Sequence, residues 1–473
     1  MSKQDWGGER AKADSTQRPG PQLVLSVVGP MLIVLFIVGL VWLHDVQNLF
    51  SNQQRVGEYR PTAEAGEVAP TAQPTIPVPT MPALPATTSR DSWVGVMHDA
   101  SNRNASPDDL HPPLHEAWRD PKLFSFGVEQ NELITEAAGR LLVSTLEDTR
   151  LYDAKTGKFL MTVPLAHLIA YDDRNLTSLS RDGNFVYYIT NELQDGRSDK
   201  HRDIVAYNLH EGKIAWHYQT GYNTVFVQHP IANELIVSYE MASGTGPVVA
   251  LNALTGEVIW RSRTLSSMAT KPKIAADRAN VYLYLDDGKL VALNGNNGIV
   301  RWMKLAAGHK LIIDGQHIYL TQGHGVQVFR ADDGSDEPDF SFKDSITYDR
   351  YTETVISGGN LLVATTTNTE ASRGRLISIR QKQVLWTTYM QELPRQIVAS
   401  DKTLYLIAES YEDGCCISHK YLIAYEQQTG KELWRSADLI QPDYDERASR
   451  PIIADGMLYL IHGNAIHAYG GAQ

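Results

Sequence analysis

The sequence predicts an all-β fold: an eight-bladed β-propeller of four-stranded antiparallel blades, preceded by one transmembrane helix and a Pro-rich linker. Two observations predict the propeller. The motif A-x-[N/E]-x-x-x-G-x-x-x-W recurs with identical spacing, and short β-rich runs bounded by Asp-Gly turns precede its copies. A third observation, one long uncharged apolar stretch near the N-terminus, predicts the helix.

Composition and charge exclude several classes of protein. The 473 residues include 43 Lys and Arg against 55 Asp and Glu, which gives a formal net charge of −12. Because nucleic-acid binders need a basic face and no basic cluster stands out, we expect no nucleic-acid partner. A hydrophobic fraction of 42% with 21% charged residues is typical of a globular protein.

The uncharged stretch runs from Leu23 to Leu43, and about 20 helical residues suffice to cross a bilayer. Basic residues are more frequent before it than after it, which predicts a single-pass protein of the cell membrane with a cytoplasmic N-terminus and an extracytoplasmic propeller. A cleaved signal peptide is the alternative, but such peptides have shorter apolar cores, and HDVQNLFSN is a poor cleavage site.

The segment that follows the apolar stretch reads as a linker. Seven prolines between residues 61 and 90 favour extended polyproline II, which predicts a stalk; a Pro-rich recognition motif is the alternative. The predicted organisation is a cytoplasmic tail (1–20), a transmembrane helix (21–44), an extracytoplasmic Pro/Thr-rich linker (45–90) and the propeller (91–473).

The repeat itself is strict in four copies, and degenerate copies fill the intervals at a period of about 45 residues, which suits a four-stranded blade. The last copy lacks its fourth strand, so we expect residues 114–119 to complete it and close the ring. We interpret the Trp as core that fills the wedge between blades, and the Gly as a turn position with positive φ. The residues that define the repeat are Trp118, Ala206, Gly212, Trp216, Ala250, Gly256, Trp260, Ala292, Gly298, Trp302, Trp386, Ala424, Gly430 and Trp434.

These repeats resemble the tryptophan-docking motif of the quinoprotein alcohol dehydrogenase-like propeller superfamily, over residues 91–473. The opening segment WVGVMHDASNRNASPDDLHPPLHEAWR also resembles bacterial PQQ-binding-like β-propeller repeat proteins, where PQQ is pyrroloquinoline quinone. This resemblance implies two kinds of function. The superfamily includes calcium- and PQQ-dependent dehydrogenases, and it includes non-catalytic scaffolds such as the lipoprotein propeller of the outer-membrane β-barrel assembly machinery.

The two cysteines, Cys415 and Cys416, are the candidate cofactor-binding residues. The resemblance implies this role, because dehydrogenases of the superfamily stack the quinone on a disulfide between adjacent cysteines. Here the pair lies in the seventh copy rather than in an early blade, and no matching calcium ligands or general base can be identified. A disulfide that rigidifies the loop, or two unbonded thiols, is the alternative reading.

Other chemical signals do not add up to a site. His111 and His115 have a helical ligand spacing, but Pro112 and Pro113 between them disfavour a helix. The acidic run at residues 332–339 lacks the Gly and Glu positions of an EF-hand loop. Hydrolase and NTPase motifs are absent from the sequence, so we predict no catalytic or metal-binding residues.

Unequal hairpins are the candidate binding feature. Copies two, three, six and seven have long connections between their second and third strands, which raise two ridges on one face, although neutral insertion also lengthens surface loops. The candidate partner-binding residues in these loops are Arg197, His201, Arg202, Tyr411, Glu412, Asp413 and His419.

The function predicted from these observations is that of a non-catalytic binding or assembly scaffold for a protein, a peptide or another cell-envelope partner, without a cofactor. A PQQ- and calcium-dependent dehydrogenase is the first alternative, and a hydrolase or lyase with a site in the central channel is the second.

Overall fold

A computed structural model of the chain separates two compact units, Met1–Ile76 and Pro77–Gln473, and the described residues all lie in the second. The predicted tail, transmembrane helix and linker fall outside the described residues. The structure describes residues 93–94, 101–121, 133–145, 148–164, 177–192, 201–219, 224–231, 235–241, 245–266, 273–277, 279–285, 287–322, 325–341, 352–369, 372–380, 383–412, 416–439, 448–463 and 465–471.

The described residues form antiparallel strands arranged in successive four-stranded sheets. The first strand, β1, spans His115–Asp120. Blade 1 contains β2 (Leu133–Ala137), β3 (Arg140–Ser144), β4 (Thr149–Asp153) and β5 (Phe159–Thr162). Blade 2 contains β6 (Ser178–Leu179), β7 (Phe185–Glu192), β8 (His201–Asn208) and β9 (Lys213–Gln219). Blade 3 contains β10 (Thr224–Ile231), β11 (Leu235–Met241), β13 (Val248–Asn252) and β14 (Val258–Arg261), and a two-stranded ribbon joins β12 (Thr245–Gly246) to β15 (Leu265–Ser266).

The second half of the chain continues the same order. Blade 4 contains β16 (Lys273–Ala276), β17 (Asn280–Tyr284), β18 (Lys289–Asn294) and β19 (Val300–Leu305). Blade 5 contains β20 (Lys310–Asp314), β21 (His317–Gln322), β22 (Gly325–Arg330) and β23 (Asp336–Ser341). Blade 6 contains β24 (Thr352–Ser357), β25 (Asn360–Thr369), β26 (Ser372–Arg380) and β27 (Gln383–Met390). Blade 7 contains β28 (Leu393–Ala399), β29 (Thr403–Glu412), β30 (Cys416–Glu426) and β31 (Glu432–Arg435).

A closing sheet joins the two ends of the described chain. Its strands are β32 (Ile452–Ala454), β33 (Met457–His462) and β34 (Ala465–Gly470), and β1 pairs with β34 as its fourth strand. Trp118 lies opposite Ala468, so the segment that the sequence assigned to ring closure does pair with the last copy. The closing sheet then contacts blade 1, because β32 lies beside β2.

The predicted fold class needs correction in its number of blades. Seven blades, rather than eight, are continuous in the sequence, because the remaining four-stranded sheet is a composite of β1 with β32–β34. The described residues contain no helix, and the segment predicted to form the transmembrane helix lies outside them. Among these residues, nothing helical is long and apolar enough to cross a membrane.

The burial pattern explains why these segments form blades. In each sheet the middle strands pack against a blade on either side, so β3 and β17 are buried along their whole length and their sequences are mostly apolar. The fourth strands form the outer edge, and β19 alternates between half-buried and exposed side chains. The first strands, which we call the inner strands, lie beside one another, as β2 does with β6 and β24 with β28.

Tryptophans fill the wedges between neighbouring sheets. Trp260 of blade 3 lies against Gly298 of blade 4, where a Cβ would be 2.4 Å from Trp260 Cε3, and its Nε1 donates to the carbonyl of Gly295 at 2.7 Å. Gly298 has φ +69°, which favours glycine in any case. The other pairs of this kind are Trp118 with Gly157, Trp216 with Gly256, Trp302 with Gly334 and Trp386 with Gly430. Each of these five tryptophans therefore requires a glycine in the next sheet.

A segment at residues 101–106, which we call the strap, crosses the ends of several inner strands. The Asn102 amide donates to the carbonyls of Ile274 in blade 4 and Leu311 in blade 5, and the Asn104 amide donates to the carbonyl of Ile397 in blade 7. Ala105 forms a parallel bridge with Ala399, where β28 ends. The strap thus contacts the inner strands of blades 4, 5 and 7, and in blade 7 it lies where the inner strand finishes.

Candidate binding face at the start of the inner strands

The opposite end of the propeller, where the inner strands start, carries the candidate site. In blade 4, Lys273 at the start of β16 pairs with Tyr284 at the end of β17, so the hairpin that joins the second and third strands emerges at this end. The same antiparallel order recurs in each blade. The predicted long hairpins and the starts of the inner strands therefore share one face, which we call the mouth face.

Hairpin length differs strongly between blades on this face. Counted from the Ala of the repeat motif, the blade 4 ladder between the second and third strands runs from Tyr282 opposite Ala292 to Tyr284 opposite Leu290. Counted in the same way, the blade 7 ladder runs from Tyr405 opposite Ala424 to Glu412 opposite Cys416. At about 3.3 Å per residue, the blade 7 hairpin extends roughly 17 Å further than the blade 4 hairpin.

Blade 6 has a hairpin of the same kind beside that of blade 7. Its ladder runs from Leu362 opposite Ser378 to Thr369 opposite Ser372. The sequence predicted long loops at both positions, but the structure continues regular strands into them. We call these two hairpins, β25–β26 and β29–β30, the paired ridge; in blade 2 the described ladder runs from Tyr187 opposite Ala206 to Glu192 opposite His201.

The structure does not bring the predicted partner-binding residues together. His201 and Arg202 belong to β8 of blade 2, whereas Tyr411 and Glu412 end β29 of blade 7, with the closing sheet and blade 1 between these blades. His419 is partly buried, and its Nδ1 lies 2.5 Å from Asp438 Oδ2. Two further predicted partner-binding residues, Arg197 and Asp413, lie outside the described residues, as does the candidate cofactor residue Cys415.

A cluster of charges lies at the start of the inner strands. Glu353, near the start of β24, accepts from two cations through its Oε2: Lys310 Nζ at 2.5 Å, from blade 5, and Arg450 at 3.4 Å, from just before β32. Lys273 in blade 4 is close enough to interact electrostatically with Lys310. The cluster thus extends from blade 4 to the closing sheet.

The pKa shifts show how these charges influence one another. Burial raises the pKa of Glu353, but Arg450 and Lys310 outweigh burial, and the pKa of the carboxyl is lowered. The pKa of Lys310 is lowered by burial in the first place, and the positive charges of Arg450 and Lys273 add to the effect. Glu353 is therefore ionised, and among the described residues it is the carboxylate that pairs with the buried Lys310 ammonium.

Blade 7 adds a second group of charges beside the first. The ladder between β28 and β29 shifts register between Pro394 and Gln396, which leaves Arg395 at a bulge. Arg395 Nε lies 2.5 Å from Glu409 Oε2, and the buried Lys420 Nζ lies 3.3 Å from Glu409 Oε1. Both carboxylate oxygens of Glu409 therefore have a cationic partner.

The closing sheet contributes two stacked histidines to this region. The rings of His462 and His467 are 3.8 Å apart with an interplanar angle of 10°. His467 Nδ1 lies 2.7 Å from Glu116 Oε2 on β1, and His462 Nε2 lies 2.8 Å from the hydroxyl of Tyr469. Burial above all, and then the charges of His467 and Lys420, lowers the pKa of His462 to about 3.

The histidine pair and the acidic run that the sequence analysis considered as metal sites make only local contacts in the structure. His111 Nε2 lies 2.9 Å from Asp109 Oδ1, and His115 is exposed at the start of β1, so the two histidines do not converge. In the acidic run, Asp332 pairs with Arg330 at 2.7 Å and is exposed. Among the described residues, no group of three or more His, Cys, Asp or Glu side chains is placed to hold a metal ion.

Calcium with PQQ is the cofactor that the resemblance raises, and the described mouth face does not fit it. Ca²⁺ takes about 6 to 8 oxygen ligands, with carboxylates prominent among them. The cluster instead gathers cations, and Glu353, its carboxylate between blades 5 and 6, is engaged by Lys310 and Arg450. A calcium ion would be repelled there, so we derive no chemistry through this cofactor.

The charged cluster was missed by sequence reasoning, although a signal for it exists. Charged residues precede or open the apolar runs that become the inner strands, as in KPKIAA, HKLII, TETVI, PRQIV and SRPII. The Trp motif lies in the third and fourth strands of each blade, so it does not include these positions at the first strand. An alignment of the copies on the first strand of each blade would have placed the charges side by side.

Comparisons with known proteins agree with the fold. The family model described as outer membrane protein assembly factor BamB matches residues 228–436. The quinohemoprotein alcohol dehydrogenase ADHIIG from Pseudomonas putida HK5 is 13% identical, with a TM-score of 0.55 over 82% of this chain and 81% of that one. The corresponding enzyme from Comamonas testosteroni is 12% identical, with a TM-score of 0.55 over 81% of each chain. BamB from Moraxella catarrhalis is 12% identical, with a TM-score of 0.49 over 76% of this chain and 99% of that one.

A search of curated proteins finds no match. The matching family model and the solved dehydrogenases confirm the resemblance to PQQ-like β-propellers that the tryptophan motif indicated. At 12–13% identity the solved structures show the fold and not the activity.

Proposed function

We propose that this protein is a membrane-anchored, extracytoplasmic β-propeller that serves as a non-catalytic scaffold and binds a protein partner of the cell envelope. The observation that carries this proposal is the paired ridge. The family-model match to an outer-membrane assembly factor supports the choice of a protein as partner. The apolar stretch from Leu23 to Leu43 supports the anchor, with the N-terminus in the cytoplasm.

The paired ridge is more than ring closure requires. Blade 4 turns at Asp287-Gly288 directly after its short ladder, whereas the ridge hairpins continue as regular strands well beyond the level of their Ala and Ser motif positions. An isolated two-stranded hairpin is marginally stable in water, and its outer edges expose unpaired backbone groups. Two such hairpins on neighbouring blades form an extended surface with edges that a partner strand or loop can cover.

A scaffold also fits the chemistry of the mouth face better than an oxidoreductase does. The cations there engage carboxylates of the protein itself, as Lys310 and Arg450 engage Glu353. No observation on this face favours a dehydrogenase, a hydrolase or a lyase specifically. A stoichiometric quinone retained by the purified full-length chain, seen in its absorption and mass spectra, would overturn the scaffold assignment.

Site-specific photo-crosslinking in intact cells tests the role of the ridge. A crosslinking residue at Thr369 or Ser372, in the blade 6 hairpin, is expected to capture the same discrete protein repeatedly. The matched control is Gln316, an exposed turn residue at the other end of blade 5. Equal capture from Gln316, or none from the ridge, would contradict the proposal.

A shortened variant makes the test independent of a single position. Replacing residues 367–373 with a two-residue Asn-Gly turn connects Thr366 to its ladder partner Gly374 through that turn. The rest of blade 6 then stays in register. With the crosslinking residue placed at Glu412 in the blade 7 hairpin instead, we expect this variant to fold with little change in Tm and to lose capture of the partner. Undiminished capture from Glu412 would instead assign the binding surface to blade 7 alone.

A further inference from the structure

The fourth strand of blade 6, β27, has a free edge that lacks the usual protection. We call the fourth strand of each sheet its outer strand, and in the described part of the chain β27 has β26 as its only sheet neighbour. A free edge exposes backbone N–H and C=O groups that can pair with another chain, and natural proteins protect such edges by short length, charged side chains or proline. β27 has eight residues, QVLWTTYM, without a charge or a proline.

The other outer strands do have this protection. β5, β14 and β31 are only four residues long. The longer outer strands all contain charged side chains, among them Lys213 in β9, Arg301 and Lys304 in β19, Asp336 in β23 and Glu116 in β1. The unprotected edge is therefore particular to blade 6 and is not a consequence of the repeat.

Alternate side chains of β27 have different surroundings. Those that pack towards blade 7 are Trp386, Thr388 and Met390. Those between them are exposed, namely Leu385, Thr387 and Tyr389. Leu385 is 47% exposed and Tyr389 is 59% exposed, although both side chains are large and mostly apolar. The strand thus presents a row of three exposed, uncharged side chains beside its free edge.

The same strand of a second copy fits this edge. In an antiparallel pair with a two-fold axis at Thr387, Thr387 lies opposite its own equivalent, and Leu385 lies opposite Tyr389 of the second copy. Because side chains alternate along a strand, all of these residues then share one face of the joined sheet. Thr–Thr pairs are favourable across strands, and Leu385 and Tyr389 bury apolar surface against each other.

Charge also favours a second copy as the occupant. Near a two-fold axis a charged side chain approaches its own equivalent, and β27 brings no charge there. The nearest charged residues in the sequence are Lys382, outside the described residues, and Glu392, each five positions from Thr387. Antiparallel order brings the basic end of one strand to the acidic end of the other, although Glu392 also pairs with Arg435 of its own chain at 2.5 Å.

We propose that β27 is a dimerisation strand, which pairs antiparallel with β27 of a second copy of this chain about a two-fold axis at Thr387. The pair joins the two blade 6 sheets into one continuous sheet, and the symmetry closes the assembly at two copies. A strand pair buries less than the roughly 1,200 Å² of a standard stable interface, so the dimer is reversible. The contact does not involve the paired ridge, so this inference stands apart from the proposed scaffold function.

Cysteine crosslinking of the full-length chain tests the pair. The background is Cys415→Ser with Cys416→Ser, which removes both native thiols. In this background Thr387→Cys is expected to give a covalent dimer with a short bismaleimide, because directly opposite residues are about 5 Å apart. Ile259→Cys is the matched control: it lies on the four-residue outer strand β14 and has the same 47% exposure as Leu385.

The register has its own test in the same background. Leu385→Cys and Tyr389→Cys each lie about 13 Å from their own equivalents in the proposed pair, so neither chain should crosslink efficiently by itself. A mixture of the two chains should crosslink, because Leu385 of one copy lies opposite Tyr389 of the other. A mixture that crosslinks no better than either chain alone would contradict the two-fold axis at Thr387.

Charge at the axis separates a dimer from incidental crosslinking. Thr387→Lys and Thr387→Glu are each expected to weaken dimerisation of the purified full-length chain about fivefold in sedimentation velocity, because like charges then lie opposite each other. An equimolar mixture of the two variants should regain dimerisation, since unlike charges then meet. Ile259→Lys should leave dimerisation unchanged. Thr387 is exposed, so Tm should change little in its two variants.

Three results would overturn the proposal. They are a monomeric wild type at every concentration reached, a Thr387→Cys crosslink no stronger than that of Ile259→Cys, and a mixture of Thr387→Lys with Thr387→Glu that dimerises no better than either variant. A photo-crosslinking residue at Thr387 that captures a different protein in intact cells, and not a second copy, would also overturn it. That outcome would assign the edge of β27 to a strand of the other protein.

Discussion

The wedges between blades and the mouth face differ in how their residues are used. At the wedges one arrangement is repeated: a tryptophan covers a glycine of the next sheet and donates to a backbone carbonyl, as Trp260 does with Gly298 and Gly295. At the mouth face each sheet contributes something different, such as Lys310, Glu353 or the stacked His462.

This difference separates stability from specificity. A repeated contact between neighbouring blades contributes to the free energy of folding wherever it occurs, so selection can reuse it. The mouth face carries buried charges that cost free energy and differ between blades, which is typical of residues retained for a task. Substitutions at the wedges and at the mouth face should therefore differ in how they change the free energy of unfolding and its dependence on pH and salt.

The largest loss of stability is expected from removing a wedge tryptophan. Trp260 is 6% exposed, and Trp260→Ala should lower the free energy of unfolding by about 4 kcal/mol, because a large cavity remains between blades 3 and 4. Trp434 is half-buried against the core near the closing sheet, so Trp434→Ala should cost about 2 kcal/mol. Urea unfolding followed by far-UV circular dichroism measures both. Equal losses would mean that a docked glycine adds nothing to a wedge.

The glycine partner gives a sharper test of the same contact. A Cβ at Gly298 would overlap Trp260, and φ is also positive there, so Gly298→Ala should cost about 3 kcal/mol. Gly315→Ala is the control: φ is +58° at this turn, but a Cβ there meets nothing within 4 Å. We expect about 1 kcal/mol for the control, from backbone strain alone. The difference in urea midpoint between the two variants isolates the wedge, and no difference would remove the overlap as its cause.

The regular part of this fold was predictable because its causes are local and repeated. Spacing from Ala250 to Gly256 to Trp260 fixes a strand, a turn with positive φ and the wedge contact within one segment. The pairing of Trp118 with Ala468 was also predictable, since the missing fourth strand of the last copy had to come from the other end of the described chain. The composite origin of the closing sheet is what reduces the number of continuous blades to seven.

The mouth face was less predictable because its contacts join residues far apart in sequence. Glu353 and Arg450 meet only when the closing sheet completes the ring, and no spacing rule links them. The long hairpins were recognised by length, but their lengths do not show that residues 201–202 and 411–412 lie on blades that are not neighbours. Charge complementarity predicts a contact only when the order of the elements around the ring is used as well.

Acidic pH should expose the difference between the closing sheet and the rest of the ring. An unfolded histidine has a pKa near 6.5, whereas His462, between His467, Tyr469 and the charge of Lys420, has a pKa of about 3. Between these values the unfolded state binds the additional proton, so stability falls as the pH is lowered through 6.5. We expect His462 to account for about 2.5 kcal/mol of the loss between pH 7.5 and 4.5.

His462→Gln measures that contribution, because glutamine cannot take up the proton and can still contact the Tyr469 hydroxyl. The free energy of unfolding of this variant should depend less on pH than that of the wild type, and the two curves should run parallel above about pH 7.5. Curves that remain parallel down to pH 4.5 would show that another group is responsible for the acid sensitivity.

The smallest effect is expected on the outer edge, where charges are paired but solvated. Lys304 Nζ lies 2.6 Å from Asp336 Oδ1 and 4.7 Å from the centre of the Phe329 ring, and the Asp336 side chain is 76% exposed. Exposed ion pairs contribute little, so Lys304→Met should change the free energy of unfolding by less than about 1 kcal/mol, and raising the salt concentration should shrink the effect further. Glu353→Gln, which leaves Lys310 buried beside Arg450 without a carboxylate, should cost more and should respond less to salt. Urea unfolding of both variants at low and high salt measures these losses. If Lys304→Met and Glu353→Gln lower the free energy of unfolding equally and with the same salt dependence, the charges of the mouth face are as solvated as those of the outer edge. The mouth face would then not be distinguished by buried charges.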